Sequence, residues 1–134
     1  MTVLYDTGLL IAADCNDREV WADHRARLEL GAVPVTTAPV VSQVSRSSRQ
    51  VQLRLLLRGC EVVALVPEEV HEVGELLGRA GSTDVVDAHV VVTASRRGLS
   101  VITSDAEDLG RLSDCLQARV AVHQVRARRR PRQP

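Results

Sequence analysis

Hydrophobic residues occur along this chain in two patterns, short continuous runs and repeats at helical spacing. Short apolar runs predict five β-strands, at 2–5, 33–36, 61–66, 99–103 and 119–125. Apolar residues at helical spacing predict helices at 18–30, 48–58, 85–97 and 105–112. Two further helices are predicted to start near Thr37, with Pro39 in the first turn, and at Pro67. Strand–helix–strand units with short links predict an α/β fold whose parallel sheet is covered by helices on both faces.

The composition predicts one domain and excludes some kinds of chemistry. The chain has 134 residues, of which 45% are hydrophobic, enough for a single core. All 17 basic residues are arginines, so Walker-type phosphate binding and Schiff-base catalysis, which need a lysine, are excluded. Tyr5 and Trp21 are the only aromatic residues. Contacts with a nucleic acid would therefore depend on phosphates rather than stacked bases.

Cysteine and histidine residues show no metal-site or disulfide pattern. Cys15, Cys60 and Cys115 are odd in number and widely separated, and we expect them to be buried small residues in a reducing cytosol. The four histidines have no metal-binding spacing. No signal-peptide pattern and no apolar run of about 20 residues is present, which predicts a cytoplasmic protein without a membrane segment.

Acidic residues stand where predicted strands end and helices begin. Asp6 follows the first apolar run, Asp87 lies near the start of the helix 85–97, and Asp105 follows the run 99–103. The carboxyl ends of parallel strands meet at one edge of a sheet, where such folds bind ligands. Converging carboxylates without matching cations would repel one another, and a hard divalent cation would relieve that repulsion. The pattern therefore predicts a metal-dependent enzyme.

Three segments resemble motifs of PIN-domain ribonucleases, specifically the VapC toxins of bacterial toxin–antitoxin pairs. They are VLYDTGLLIAA, STDVVDAHVVVTA and VITSDAEDL, in the family's order and at its distances. The resemblance covers about residues 1–125 and implies a three-layer α/β/α PIN-like domain with about five parallel strands. It also implies a metal-dependent endoribonuclease that leaves a 5′-phosphate and a 3′-hydroxyl.

The resemblance assigns roles to individual residues. Asp6, Asp87 and Asp105 match the catalytic and metal-binding acids for Mg²⁺ or Mn²⁺. Asp108 matches a less regular additional acid, while Thr7 and Thr103 match supporting hydroxyls that we place among the substrate-binding residues.

Three polar side chains flank these matched positions. Asp84 either caps the helix 85–97 or reaches the edge of the site, and capping is the favoured role. Arg46 and Arg49 follow the helix that begins near Thr37 and are predicted to hold substrate near the acids.

One position departs from the family pattern. In the segment APVVSQVSRS, Gln43 occupies the position of the family's second-motif glutamate. Its carbonyl oxygen can contribute to a metal site, but a neutral amide lowers the negative charge there. Two hypotheses follow: an active VapC-like nuclease, or a catalytically weakened PIN-like module that binds RNA or an antitoxin without efficient turnover.

The resemblance also implies partners: an RNA substrate, a VapB-like antitoxin and a second copy of the chain in a homodimer. Residues 126–134 lie outside the matched domain and contain five arginines and two prolines. Two interpretations of this basic tail stay open, a segment that grips RNA phosphates and a flexible solvated end.

Overall fold

A computed structural model describes residues 2–104, 106–116 and 120–125. Its centre is a sheet of five parallel strands in the order β3-β2-β1-β4-β5. The strands are β1 Val3–Tyr5, β2 Val35–Thr37, β3 Glu61–Val63, β4 Ser100–Thr103 and β5 Val122–Gln124. The central strands β1, β2 and β4 are buried along their whole length. Burial on both faces explains why their sequences are nearly continuous apolar or threonine-containing runs.

Helices cover both sides of this sheet. They are α1 Thr7–Asp14, α2 Arg18–Glu29, α3 Ala38–Val44, α4 Val51–Arg58, α5 Val70–Ala80, α6 Val85–Arg97 and α7 Glu107–Asp114, with a 3-10 turn at Pro67–Glu69. The helix α1 packs against α3 and α4, whereas α6 packs against α5 and α7. The predicted three-layer α/β/α fold with five parallel strands is confirmed.

Two helices place the acidic residues and have clear limits. The middle of helix α6 is buried on all sides, because every residue from Ala88 to Ala94 is buried. It ends at Gly98, whose φ of +66° is a left-handed conformation that glycine adopts without strain. The helix α1 is short, and Leu9 and Leu10 are almost fully buried beneath it. Both helices therefore have fixed positions relative to the ends of β1 and β4.

Three predicted boundaries were too generous. The strand β3 stops at Val63 rather than residue 66, because its neighbour β2 ends at the paired residue Thr37 and the chain turns into α3. The helix α4 starts at Val51 rather than Ser48, because the Gln50 side chain accepts hydrogen bonds from the backbone of Arg46 and Ser47 and holds a loop there. The strand β5 begins at Val122 rather than residue 119.

The predicted burial of the cysteines is wrong for Cys15. It is exposed because it terminates α1 at a surface turn. Cys60 and Cys115 are half-buried and pack against the core. Within the described part of the chain, no helix has the length and apolar character needed to cross a bilayer.

Candidate active site

Asp6 is fixed at the junction of β1 and α1. Its Oδ1 accepts a hydrogen bond from the Leu9 N–H at 3.0 Å and thereby caps α1. Its own N–H donates to the Ile102 carbonyl at 3.3 Å, which ties this junction to β4. Asp6 is only 5% exposed. The sequence places this carboxylate at a strand end, and the cap holds it in one orientation.

Asp84 and Asp87 come from the first turn of α6. The Oδ1 of Asp84 accepts from the Asp87 N–H at 3.0 Å, so the predicted capping role of Asp84 is confirmed. Asp87 is half-buried, one turn into the helix. These two acids line the same cleft as Asp6.

This acidic cleft has a volume of about 220 Å³. Its polar lining consists of Asp6, Thr7, Gln43, Asp84, Asp87 and Asp108. An adjoining cleft of about 340 Å³ shares the last three acids and continues to Arg111. The clustering predicted for Asp6, Asp84, Asp87 and Asp108 is therefore present in the folded chain.

The electrostatics of the acidic cleft are most evident at Asp87. The pKa of its carboxyl is raised from 3.8 to about 7, and burial is the largest cause. The negative charges of Asp84 and Asp6, a hydrogen bond with Asp84 and the charge of Asp108 contribute the rest of this rise. Asp87 consequently retains a proton well above the usual range of a carboxylic acid. A cation in the cleft would have the opposite effect and favour the ionised form.

Asp108 occupies the outer side of the acidic cleft, in the first turn of α7. It is exposed, and its Oδ1 accepts a hydrogen bond from the Arg111 guanidinium at 3.2 Å. Arg111 also lies 3.5 Å from Glu107. Ion pairs at the surface are weak, so Arg111 does not cancel the charge of Asp108. The negative charge of Asp108 still raises the pKa of Asp87.

Gln43 joins the acidic cleft from α3. Its Oε1 accepts a hydrogen bond from the Thr7 hydroxyl at 3.0 Å. This contact connects residues 36 positions apart in the sequence. The position that departs from the family pattern is therefore part of the cleft.

The donor set of the acidic cleft suits a hard cation such as Mg²⁺ or Mn²⁺, because its side chains offer carboxylate, hydroxyl and amide oxygens and neither thiol nor imidazole. Among the described residues, no group of three His, Cys, Asp or Glu side chains is arranged to hold a metal ion. Asp105, the third acid predicted to bind metal, lies outside the described residues. The tail 126–134 also lies outside them.

A model of the PIN domain matches residues 3–114 of this chain. The chain belongs to the PIN domain family. This match confirms the family predicted from the three motifs, and it includes every predicted acid of the site.

Solved structures share this PIN fold at low sequence identity. One is a chain in the crystal structure of VapBC2 from Rickettsia felis, which was solved bound to a DNA fragment from the VapBC2 promoter. It is 13% identical, the match covers 94% of this chain and 100% of that chain, and the TM-score is 0.68. Another is FitAcB from Neisseria gonorrhoeae, 17% identical, with 92% and 97% covered and a TM-score of 0.65. No curated protein matches this chain. The likeness to solved structures therefore supports the fold.

The other predicted substrate-binding residues differ in position within this PIN domain. Thr103 is fully buried at the end of β4, a position suited to supporting neighbouring backbone. The Arg46 guanidinium donates to the carbonyls of Ser45 at 2.8 Å and Ser42 at 3.4 Å. Neither Arg46 nor Arg49 lines the acidic cleft, and their contact with RNA stays a prediction.

Sequence reasoning missed Gly8. A Cβ atom built at Gly8 would collide with Ser104 Oγ and approach Thr103 Oγ1 to 3.5 Å. A side chain at position 8 would therefore require the Ser104 side chain to move, and glycine lets the start of α1 and the end of β4 approach without that shift. Glycine in the first turn of a helix, directly after Asp6-Thr7, was the signal available in the sequence.

Proposed function

We propose that this PIN domain is an endoribonuclease that hydrolyses RNA phosphodiester bonds with Mg²⁺ or Mn²⁺. The observation that carries the proposal is the acidic cleft, in which burial, together with the charges of Asp84, Asp6 and Asp108, raises the pKa of Asp87 to about 7. Burying acids beside one another is costly unless positive charge joins them. A divalent cation would supply that positive charge, and it would also attract the negatively charged phosphates of RNA.

The residues of the cleft divide the work in this proposal. Asp6, held by its capping hydrogen bond, and Asp87 are the described carboxylates that would bind the cation. Asp105 is the third proposed ligand. When bound, the cation neutralises charge on the scissile phosphate and acidifies an attacking water. Asp87 orients that water or ligates the cation, and the expected products carry a 5′-phosphate and a 3′-hydroxyl.

Asp84 and Asp108 have supporting roles in the proposal. The Oδ1 of Asp84 is occupied by the Asp87 N–H, so Asp84 chiefly fixes the first turn of α6. Asp108 is exposed and paired with Arg111, and it adds negative charge at the rim of the acidic cleft.

We further propose that the chain acts as a VapC-like toxin inhibited by a VapB-like antitoxin. Support comes from the three sequence motifs, the PIN family match and the fold shared with chains of VapBC2 and FitAcB. A homodimer is part of this proposal. Light scattering of the purified chain should give a mass near twice 14.6 kDa, and a mass near 14.6 kDa would exclude the homodimer.

The alternative is a PIN-like module that binds RNA or an antitoxin with little turnover. Gln43 favours it, because a neutral amide replaces a carboxylate at the acidic cleft. If this alternative holds, wild-type protein cleaves poorly and Gln43→Glu restores cleavage.

Cleavage of total RNA and transfer RNA by purified, antitoxin-free protein tests the proposal. Reactions should contain Mg²⁺, Mn²⁺ or EDTA. Asp6→Asn is the matched variant, because asparagine still caps α1 while removing the charge. Cleavage that requires metal and disappears in Asp6→Asn supports the nuclease. Equal cleavage in EDTA, or no cleavage by folded wild-type protein in either metal, contradicts it.

A further inference from the structure

Gln43 has a distinct place in the acidic cleft. We propose that its amide nitrogen binds a phosphate of the RNA, while its carbonyl oxygen serves to orient the amide rather than to ligate metal. This inference rests on the proposed function, because it concerns substrate held in the same acidic cleft. It changes the role predicted for Gln43 from a metal contributor to a substrate-positioning residue.

The orientation of the Gln43 amide follows from Thr7. The Thr7 hydroxyl donates to Gln43 Oε1 at 3.0 Å. The Oε1 and Nε2 atoms are attached to the same planar carbon and point in different directions, so this hydrogen bond turns Nε2 away from Thr7. Gln43 is exposed, and no other hydrogen bond of its side chain occurs among the described residues. Its two N–H donors are therefore available to a ligand.

The chemistry of the acidic cleft makes these donors valuable. Apart from Thr7 and Gln43, its described polar lining is carboxylic: Asp6, Asp84, Asp87 and Asp108. Ionised carboxylates only accept hydrogen bonds and repel a phosphodiester anion. Among the described residues that line this cleft, Gln43 alone carries a side-chain nitrogen. It can therefore donate to a phosphate without bringing a positive charge that would compete with a cation.

Metal binding is the weaker use of the same side chain. A carboxylate attracts a hard cation more strongly than a neutral amide does, and carboxylates line the same cleft. Arg46 lies one turn further along the chain, but its guanidinium donates to carbonyls of its own segment. A cationic side chain from this segment thus does not replace the amide donor.

The test separates metal binding from RNA binding. Gln43→Ala and Gln43→Glu are compared with wild type, with Gln52→Ala on α4 as a matched control outside the acidic cleft. Calorimetry measures Mn²⁺ affinity. Fluorescence anisotropy measures binding of a labelled RNA oligonucleotide in Ca²⁺, a larger hard cation chosen to slow turnover. Cleavage assays in Mn²⁺ then give kcat and KM separately.

We expect Gln43→Ala to leave Mn²⁺ affinity within about twofold and to weaken RNA binding about tenfold, since a hydrogen bond to a charged group contributes about that factor. Its KM should rise more than its kcat falls. Gln43→Glu should bind Mn²⁺ more tightly and RNA more weakly than wild type. Thr7→Val, which frees the amide to rotate, should raise KM by a smaller factor.

Other outcomes overturn the inference. Loss of Mn²⁺ affinity in Gln43→Ala would make Gln43 a metal ligand, and unchanged RNA binding in that variant would remove its phosphate contact. Stronger RNA binding by Gln43→Glu, or no RNA binding by wild type, would also contradict it. If wild type binds RNA without cleaving it while Gln43→Ala loses binding, the inference stands and the proposed nuclease function fails.

Discussion

Asp87→Asn should make the metal-free protein more stable at pH 8 while weakening metal binding. Burial and the charges of Asp84, Asp6 and Asp108 raise the pKa of the Asp87 carboxyl from 3.8 to about 7. Because the folded-state pKa is raised, this group favours the folded state most below its unfolded pKa. That contribution is lost as the pH rises from about 4 to about 7. Asparagine has no charge to bury and can still donate to Asp84.

The size of the effect follows from the pKa. A rise from 3.8 to about 7 corresponds to about 4 kcal/mol, at about 1.4 kcal/mol for each tenfold change in the ionisation constant. Solvent reaches part of the Asp87 side chain, so we reduce the expected gain to about 2 kcal/mol. For a domain of this size, that is a rise in Tm of about 6 °C. At pH 5 the gain in the free energy of unfolding should be less than about half of the gain at pH 8.

Thermal unfolding in EDTA at pH 8 and pH 5 measures this difference. Asp114→Asn is the control, because Asp114 is an exposed acid in the last turn of α7, away from the acidic cleft. Its effect on Tm should be small at both pH values. Adding Mn²⁺ at pH 8 should raise the Tm of wild type more than that of Asp87→Asn, since a bound cation stabilises the ionised Asp87.

Two results would refute the reasoning about Asp87. The first is no gain in Tm for Asp87→Asn at pH 8 in EDTA. This result would mean that ionised Asp87 does not destabilise the folded, metal-free protein. The second is an equal gain at pH 5 and pH 8, which would assign the gain to packing rather than to charge.

Three further predictions concern the surroundings of the acidic cleft. Gly8→Ala should push the Ser104 side chain away and lower kcat at least about tenfold. The Tm should decrease by less than about 6 °C. Activity equal to wild type would show that the close approach of Gly8 to Ser104 is unimportant. Asp84→Ala should cost about 1 kcal/mol in urea unfolding through loss of the α6 cap, whereas Asp84→Asn should cost less; equal losses would exclude the cap. Burial, and secondarily the charge of Arg27, lowers the pKa of His24. The contribution of His24 to the free energy of unfolding should therefore fall as the pH drops below about 6.5. Urea unfolding between about pH 7.5 and 5.5 should show this fall for wild type and not for His24→Leu.

The sequence by itself determined the class of fold and the edge of the sheet that carries the acids. Apolar runs alternating with helical segments require a parallel sheet, and parallel strands place all their carboxyl ends at one edge. Asp6 and Asp87 could therefore be assigned to one cleft before their surroundings were known. The cap formed by Asp84 was also predictable, because capping depends on residues only three positions apart.

Contacts between distant segments were decided only by the tertiary structure. The hydrogen bond from Thr7 to Gln43 and the fit of Gly8 against Ser104 depend on how α1 packs against α3 and β4. The pKa of Asp87 depends on burial, on the charge of Asp84 at the start of its own helix, and on the charges of Asp6 and Asp108 from two other segments. Strand ends followed the same rule, since β3 stops where its neighbour β2 ends. Sequence pattern specifies which side of an element is buried, but distances between elements arise from packing.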